Sequence, residues 1–350
     1  MKTDVYETAK NILNTFLEEK IISYSKLRNY DYGQETPHKI VSGLSPYISH
    51  GIINEPEILK KLLNSRNQCE KFKQEILWRT YWKGRLEHNK SIWNNYKKNL
   101  NYYKKDFMFR KRNSNYNIAR NGETNIEPFD NWVQQLKNTG YLHNHTRMWF
   151  ASIWIFTLNL PWQKGAELFM KHLFDGDAAS NTLSWRWVAG LQTKGKHYAA
   201  QSWNISKFTN NKYKNVKLNE NVLPVTDKRE YKLTPLNFIT EDNSNENLLL
   251  FENELNLENK NLKKYENIYL VLLSNEARKL KLEQNVLEYK SKIIEDQKKR
   301  FEDLKIIDEE KCKTLTDEIK SFDVIHPSIG ENYSYLNTIR KKQNLELNFI

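Results

Sequence analysis

The chain is poor in cysteine, glycine and proline, and it has no long hydrophobic run. Its 350 residues include 2 cysteines, 11 glycines and 8 prolines. Cys69 and Cys312 cannot form a disulfide framework, and they match no metal-ligand spacing. The most apolar run, residues 148–160, is shorter than the roughly 20 apolar residues of a membrane span. The charged amino terminus also lacks the apolar core of a signal peptide, so we expect a cytoplasmic protein with no membrane association.

Basic and aromatic residues are abundant instead. The formal net charge is +12, and the chain contains 10 tryptophans. The charge favours a polyanionic partner, nucleic acid first, although a composition biased toward lysine and asparagine explains it equally well. Tryptophan suits stacking, electron transfer and large cores.

Helical spacing of apolar residues dominates the first 200 residues. The pattern predicts helices that include residues 132–136, 143–158, 163–174 and 177–188, the first of them ending near Gly140. The basic and aromatic stretch 97–120 is interpreted as an irregular surface segment. These signals predict a helical domain over residues 1–213.

The composition changes after this region. Residues 214–245 are polar, contain Pro224 and Pro235, and are typical of a linker. Beyond them, strand-like runs at 248–251, 268–273, 322–325 and 345–349 alternate with helical patterns at 275–304 and 331–342. This alternation predicts a small α/β domain over residues 246–350.

The stretch from Tyr141 to Tyr198 carries most of the residues suited to chemistry. Asn144, Arg147 and Ala151 share one face of a predicted helix. A polar pair followed by a small residue in an apolar helix indicates a buried polar ligand or an ion pair.

Two acids lie a little further on. Asp175 and Asp177 flank a glycine, and Asp177, Asn181 and Trp185 follow at intervals of four. Helix capping explains the two acids, but it does not explain why Asn181 and Trp185 follow on the same face of the helix. A divalent metal could use the two acids, whereas the neighbouring amide and indole favour a flat organic ligand. The sequence contains no Walker loop, G-x-G-x-x-G, H-E-x-x-H or G-x-S-x-G motif.

Five segments resemble the flavin-binding domain of the DNA photolyase and cryptochrome family. They are YSKLRN from Tyr24, VSGLSPYISHG from Val41, EILWR from Glu75, NTGYLHNHTRM from Asn138, and LPWQKGAELFMKHLFDGDAASNTLSWRW from Leu160. They occur in the family's order over roughly the first 205 residues. The resemblance implies a mainly α fold: an all-helical photolyase-type FAD-binding domain, followed here by a small C-terminal α/β segment. The class I branch, which repairs cyclobutane dimers, is the nearest match.

The resemblance implies FAD as the cofactor. The residues at matching cofactor positions are Tyr24, Ser42, Leu44, Ser45, Asn144, Arg147, Asp175, Asp177 and Asn181. Arg147 is expected to pair with Asp175, and Asn181 to face the reactive ring nitrogen of the flavin. A hydroxyl-bearing loop at a helix start suits the pyrophosphate.

Substrate contacts are implied at a second set of positions. Glu75 matches a glutamate that hydrogen-bonds the damaged bases, and Trp78 matches the tryptophan on which they stack. Met148 and Trp187 match further dimer contacts, and Arg28 and Arg79 could contact DNA phosphates. Other basic candidates are Arg85, Lys104, Lys105, Arg110, Lys111 and Arg112. The alternative is a Glu75–Arg79 helix ion pair with Trp78 in the core.

Trp185 and Trp162 match the first two members of the family's electron-transfer chain. The third position is expected near residues 97–110, which contain Tyr102, Tyr103 and Phe107 but no tryptophan. For each matched tryptophan, plain core packing is the alternative.

The chain also departs from the family pattern. The N-terminal α/β antenna domain of the family would precede residue 1, and we expect it to be missing. Val41 and Gly43 replace a threonine and an arginine that contact the flavin phosphates, Thr80 replaces a glutamate, and Asn204-Ile205 replaces an Asn-Pro. Flavin binding is expected to survive these changes more easily than repair.

The resulting hypothesis is a monomeric photolyase that acts on UV-damaged DNA. Photoexcited reduced FAD would donate an electron that splits a cyclobutane pyrimidine dimer, and the electron would then return. The alternative is a cryptochrome-like photoreceptor whose C-terminal segment binds a protein partner. A DNA-binding protein with a vestigial flavin site fits least well.

Overall fold

A computed structural model of the chain describes residues 4–67, 69–106, 113–235 and 245–350. Helices account for the part up to residue 208, and a parallel sheet with its covering helices forms the part after residue 245. Among the described residues, no helix is both long enough and apolar enough to cross a lipid bilayer.

Twelve α-helices occur among the described residues before the sheet. They are α1 (Val5–Thr15), α2 (Ile21–Leu27), α3 (Ser45–Ser49), α4 (Glu55–Leu63), α5 (Glu70–His88), α6 (Lys90–Lys105), α7 (Asn113–Asn121), α8 (Glu127–Thr139), α9 (Asn144–Ser152), α10 (Trp162–His172), α11 (Ala178–Val188) and α12 (Ser202–Phe208). Single π-helical stretches, Phe16–Lys20 and Ile153–Thr157, continue α1 and α9.

Local chemistry fixes several helix ends. The side chains of Asp4 and Asn54 accept hydrogen bonds from backbone N–H groups of the first turns of α1 and α4. Gly140 ends α8 in the left-handed conformation, with φ of 64°. The predicted C-cap is therefore confirmed, as are the predicted helices on either side of Asp175.

The C-terminal sheet has five parallel strands in the order β3-β2-β1-β4-β5. The strands are β1 (Asn247–Phe251), β2 (Asn267–Val271), β3 (Leu304–Ile307), β4 (Ser321–Val324) and β5 (Glu346–Phe349). The connecting helices are α13 (Gln284–Arg300), α14 (Glu309–Glu318) and α15 (Glu331–Gln343). The chain starts at the centre, builds one side, and returns to build the other, which is a doubly wound arrangement.

Buried side chains form three clusters that do not follow the predicted domain boundaries. One cluster is formed mostly by residues between 86 and 213, together with Leu280 and Ile329 from the C-terminal part. A second joins α1 to α5 with one face of the sheet, for example Phe16 with Leu250 and Ile293. The third lies between the other sheet face and α14 and α15. The first helices and the sheet therefore share one hydrophobic core.

Three local predictions were wrong. Residues 97–105 belong to α6 and 113–120 to α7, although the basic stretch 97–120 was predicted to be irregular. The aromatic and aliphatic residues of α6 recur at helical spacing and bury one side of it, and this outweighs its polarity. The predicted helix 275–304 is shorter, because α13 covers only Gln284–Arg300. β3 and α14 were missed, since their charged surroundings mask the apolar alternation.

Residues 214–235 contain no helix or strand, and they lie against the helical part. The Val225 N–H donates to the Ala189 carbonyl at 2.9 Å, and the Thr234 N–H donates to the His88 carbonyl at 2.8 Å. Asp227 accepts hydrogen bonds from Arg229 and Tyr231. This part of the predicted linker is anchored by hydrogen bonds to the helices it crosses.

Candidate functional site

Four helices that carry the predicted site residues are neighbours in space. α5 packs against α2 and α11, and α11 packs against α9. Helix α3 and the turn between α10 and α11 complete the group, because the hydroxyl of Ser49, the last residue of α3, donates to the Asp175 carbonyl at 3.0 Å. Segments far apart in sequence thus meet around Asp175.

Arg147 and Asp175 form the expected ion pair. The Nη2 group of Arg147 donates to the two carboxylate oxygens of Asp175 at 3.0 and 2.9 Å, and its Nε donates to the Leu142 carbonyl at 2.9 Å. Asp175 is only 6% exposed. Burial opposes its ionisation, but the charge of Arg147 and hydrogen bonds from Ser45 and Arg147 outweigh burial and hold the pKa below its ordinary value.

The two acids of the Asp-Gly-Asp turn have different roles. Asp177 caps α11, accepting a hydrogen bond from the Ser180 N–H at 2.6 Å, so the capping interpretation is confirmed for this residue. Asp175 makes no cap and serves the ion pair instead. On the same helix, the amide nitrogen of Asn181 donates to the Ala166 carbonyl at 2.9 Å. Its amide oxygen accepts no hydrogen bond from the described residues, and it is left as an acceptor.

The Ser42–Ser45 loop is tightly packed. Gly43 has φ of 72°, and a Cβ atom there would lie 3.0 Å from the His38 ring. Leu44 is fully buried, and its N–H donates to the Ser42 hydroxyl at 3.4 Å. A side chain at Gly43 would require His38 to move, so the arginine of related sequences does not fit this loop as it stands.

Tyr24 is buried on α2 between two phenylalanines. Its ring meets Phe16 and Phe72 edge-on, at centroid distances of 5.5 and 5.4 Å. Burial, the first cause, and the nearby carboxylate of Glu75 raise the pKa of the Tyr24 hydroxyl, which stays protonated at neutral pH.

Glu75 forms ion pairs with Arg28 and Lys71, and not with Arg79 as its spacing allowed. Its Oε1 lies 2.9 Å from Nη1 of Arg28 and 3.6 Å from Nζ of Lys71. The alternative of a Glu75–Arg79 pair is wrong, because Arg79 points elsewhere. Arg28, predicted to contact DNA phosphate, instead neutralises Glu75 in this structure.

Trp78 lies at the surface and not in the core. Its side chain is 47% exposed, and it stacks on Trp82 at 5.4 Å with an interplanar angle of 29°. Tyr81 meets it edge-on at 5.2 Å. The structure therefore contradicts the alternative of core packing and leaves an open aromatic surface one helical turn from Glu75.

The Arg79 guanidinium lies beside Ser49, whose hydroxyl contacts the Asp175 carbonyl. Its Nη2 donates to the Ser49 hydroxyl at 2.8 Å, and its Nε lies 4.0 Å from Oε1 of Glu55. Both this Nε and this carboxylate oxygen are buried without a hydrogen-bond partner in the described structure. Sequence reasoning assigned Arg79 to DNA phosphates, whereas its position suits an anion held beside Ser49.

The remaining candidates, Asn144 for the cofactor and Met148 and Trp187 for the substrate, lie near the start of α9 and the end of α11. Asn144 is exposed, and Met148 and Trp187 are half-buried. Trp187 stacks on Tyr198 at 6.0 Å, and the Tyr198 hydroxyl lies 3.4 Å from Nε2 of His145. Arg110, Lys111 and Arg112 lie outside the described residues.

Trp185 and Trp162 are both buried but differ in their neighbours. Trp185 meets Phe150, Trp154 and Phe169 edge-on, and it fills the space left by the absent side chain of Gly165. Trp162 stacks on Tyr96 at 5.5 Å and 17°.

Tyr96 was missed by sequence reasoning, and it extends the aromatic series. Its ring lies 5.4 Å from that of Trp93. Tyr102 and Tyr103, which were considered for the third position, contact each other at 5.7 Å, and Phe107 lies outside the described residues. The helical spacing of Ile92, Trp93, Tyr96 and Leu100 was the signal that would have placed Tyr96 on a buried face.

Comparisons with known proteins agree with this arrangement. Residues 72–230 match the family model described as the FAD binding domain of DNA photolyase. The chain is 27% identical to a deoxyribodipyrimidine photo-lyase of Vibrio cholerae, covering 55% of this chain and 41% of the relative. It is 30% identical to one from Buchnera aphidicola subsp. Baizongia pistaciae, covering 53% and 44%. The chain thus spans less than half the length of these relatives.

A solved structure shares the fold. The Synechocystis sp. PCC6803 cryptochrome superposes with a TM-score of 0.50 and 20% identity, covering 58% of this chain and 43% of the cryptochrome. The predicted fold class, helical with a small C-terminal α/β part, is confirmed. Residues 72–230 of the helical part are similar to the FAD-binding domain that the resemblance implies.

Proposed function

We propose that this chain, which contains an FAD-binding domain of the photolyase and cryptochrome family, repairs cyclobutane pyrimidine dimers in UV-damaged DNA using blue light. The observation that carries the proposal is the placement of Glu75 and Trp78. A paired carboxylate and an exposed indole lie one turn apart on α5, the helix that also directs Arg79 toward Asp175. A hydrogen-bonding acid beside a stacking plane is what a flipped-out pair of bases requires.

The residues around Asp175 fit a flavin dinucleotide. Arg79 offers a buried Nε without a partner, the Ser42–Ser45 loop offers hydroxyls at the start of α3, and Asn181 offers a free amide oxygen. Arg79 would hold a phosphate that lacks the contacts of the threonine and arginine that Val41 and Gly43 replace. Bound FAD would supply the light-driven electron transfer.

The protein side chains would do the rest. The Arg147–Asp175 pair fixes the turn on which α11 begins, and Asn181 is oriented by its bond to Ala166. Glu75 would hydrogen-bond the dimer, with Arg28 paired to the same carboxylate. Trp78 would stack against the dimer, with Met148 and Trp187 as further contacts. Asn144 and Met148 favour the class I cyclobutane-dimer branch, and we propose a monomer.

The test is repair of an oligonucleotide that carries one thymine dimer, measured in blue light and in the dark. Glu75→Gln keeps the shape of the side chain but removes its charge, so we expect a lower repair yield with the bound flavin retained. Glu70→Gln is the matched control, because Glu70 lies on the same helix and, among the described residues, forms an ion pair with Lys73 alone.

The outcomes separate two functions. Unchanged repair by Glu75→Gln would refute the role of Glu75. No repair by a flavin-loaded wild type would favour a photoreceptor without repair activity. The observation that supports this second candidate is the α/β domain, which lies outside the residues matched by the family model.

A further inference from the structure

A polar groove lies on the surface formed by α12 and the residues that follow it. Its volume is about 610 Å³, and its lining includes Tyr30, Trp203, Lys207, Asn210, Lys214 and Asn215. Trp203 is 62% exposed, although an indole gains free energy from burial. The side chains of Asn210 and Asn215 have no hydrogen-bond partner among the described residues. The groove therefore presents one large stacking surface with free amides and ammonium groups beside it.

The chain segment that forms most of this groove is basic, with the acid Glu220 beside it at Ser202. No aspartate or glutamate occurs between Asp177 and Glu220, whereas the same stretch contains one arginine and six lysines. Arg186 is buried near Asp227, but Lys207 and Lys214 are exposed. Glu220, the nearest acid in sequence, accepts a hydrogen bond from the Ser202 N–H at 2.7 Å and so is engaged at the start of α12. An anion would meet little repulsion here.

The groove is linked to residues near the proposed dimer site by a short chain segment and a series of ring contacts. Tyr30, which lines the groove, follows Arg28 by two residues, and Arg28 pairs with Glu75. The Tyr30 ring contacts Phe208 at 5.0 Å, and Phe208 contacts His145, the neighbour of Asn144, at 5.1 Å. A strand that enters the dimer site can thus continue into the groove.

We propose that this groove binds a nucleotide that flanks the dimer on the same DNA strand. The base stacks on Trp203, Lys207 and Lys214 contact the adjacent phosphates, and the free asparagine amides face the base edge. This inference rests on the proposed function for its substrate, and it assigns a binding site separate from Glu75 and Trp78. Stacking on an aromatic side chain tolerates any base, so the site adds affinity without sequence preference.

Binding of two fluorescein-labelled single-stranded oligonucleotides tests the proposal. Both carry one thymine dimer; one is the dimer alone, with no nucleotide on either side, and the other has long flanks. We expect Trp203→Ala to weaken binding of the long oligonucleotide about 5- to 100-fold, since base stacking contributes about 1–3 kcal/mol. Binding of the short oligonucleotide should be unchanged.

Two further variants define the chemistry of the site. Trp203→Phe keeps an aromatic plane and should retain most of the affinity for the long oligonucleotide. The double variant Lys207→Ala/Lys214→Ala should reduce the slope of log affinity against log salt by about 1–2. Tyr102→Ala, which removes an aromatic side chain of similar exposure (61%) on α6, should behave as wild type.

Failure of the groove and failure of the proposed function give different results. Equal affinities of Trp203→Ala and wild type for the long oligonucleotide would overturn the proposal that the groove binds a flanking nucleotide, even if repair is normal. Selective loss of long-flank binding in Trp203→Ala would support it, even in a protein that repairs nothing. A wild type that binds neither oligonucleotide would overturn both.

Discussion

Removing Asp175 is the most direct perturbation of the site, because it leaves Arg147 without a partner. Asp175 accepts both hydrogen bonds of one guanidinium nitrogen, at 3.0 and 2.9 Å, and is almost fully buried. Removing one member of a buried ion pair costs about 3–5 kcal/mol. The Arg147 side chain is 24% exposed, so water can solvate part of its charge. We therefore expect Asp175→Ala to reduce the free energy of unfolding by about 2–3 kcal/mol.

Asp175→Asn separates charge from shape. The amide oxygen can still accept a hydrogen bond from Arg147, so its cost should lie between wild type and alanine, about 1–2 kcal/mol. The pH dependence has a defined sign, because the pKa of Asp175 is lowered in the folded protein. The advantage of wild type over asparagine is present above the ordinary carboxyl pKa of about 3.9 and is lost as the pH falls through the lower, folded-state pKa.

The assay is urea denaturation of the flavin-free protein, followed by circular dichroism, with flavin content measured separately by absorbance. Asp175→Ala should also purify with little flavin, since α11 begins three residues after the broken pair. An alanine variant within about 0.5 kcal/mol of wild type, the ordinary range for a surface substitution, would show that the pair does not hold the site together. A full flavin spectrum in that variant would refute its role in cofactor binding.

Two other predictions concern the relay and the buried lysine. Trp162→Phe and Tyr96→Phe should each slow photoreduction of bound flavin by an external reductant, whereas Tyr102→Phe should not; equal rates in all three would exclude the stacked pair from the path. Lys290 lies 3.7 Å from Glu252, and burial with the nearby Arg278 lowers its pKa to about 8, against the opposing effect of Glu252. The folded state therefore loses this proton at a lower pH than the unfolded state does. Between pH 8 and the ordinary lysine pKa of about 10.4, the free energy of unfolding of wild type should rise by up to about 3 kcal/mol relative to that of Lys290→Met. Free energies of unfolding that change with pH in parallel in the two proteins would contradict this.

The sequence was most informative where one segment carries both the helix signal and the chemistry. Arg147 and Asp175 were paired correctly, because resemblance assigned both and a buried carboxylate beside a guanidinium is the obvious solution. Gly140 was placed correctly as a cap, because glycine adopts a φ of 64° without the strain of a side chain. Such features depend on neighbours close in sequence or on a motif whose members are all visible.

Side-chain direction could not be read in the same way. Glu75 and Arg79 are four residues apart, and spacing alone allows them to pair. In the structure Glu75 instead pairs with Arg28, and Arg79 donates to Ser49, both from other elements. Tyr96 was hidden because its helix is rich in lysine and asparagine, and burial against Trp162 becomes apparent only once α6 and α10 are placed together. These contacts are tertiary, and no local pattern encodes them.

The domain boundary illustrates the same limit and leads to a last prediction. Phe16 and Leu13 of the first helices share a buried cluster with Leu250 of β1 and Ile293 of α13. Burial of each such side chain contributes about 1.5–3 kcal/mol. Removal of the sheet would expose the apolar side chains of α1 to α4 that pack against it, and this stabilisation would be lost. A fragment of residues 1–235 contains every residue matched by the family model, but we expect it to aggregate and to lose flavin.

A nicked protein is the matched control for this fragment. A protease site inserted between residues 236 and 244 should allow cleavage of the folded chain, after which the two pieces should co-elute and keep their flavin, because the shared core holds them together. The comparison distinguishes loss of the sheet from loss of chain continuity. If the 1–235 fragment alone were monomeric and fully flavin-loaded, the sheet would be a separate module, and the shared cluster would contribute little to the cofactor site.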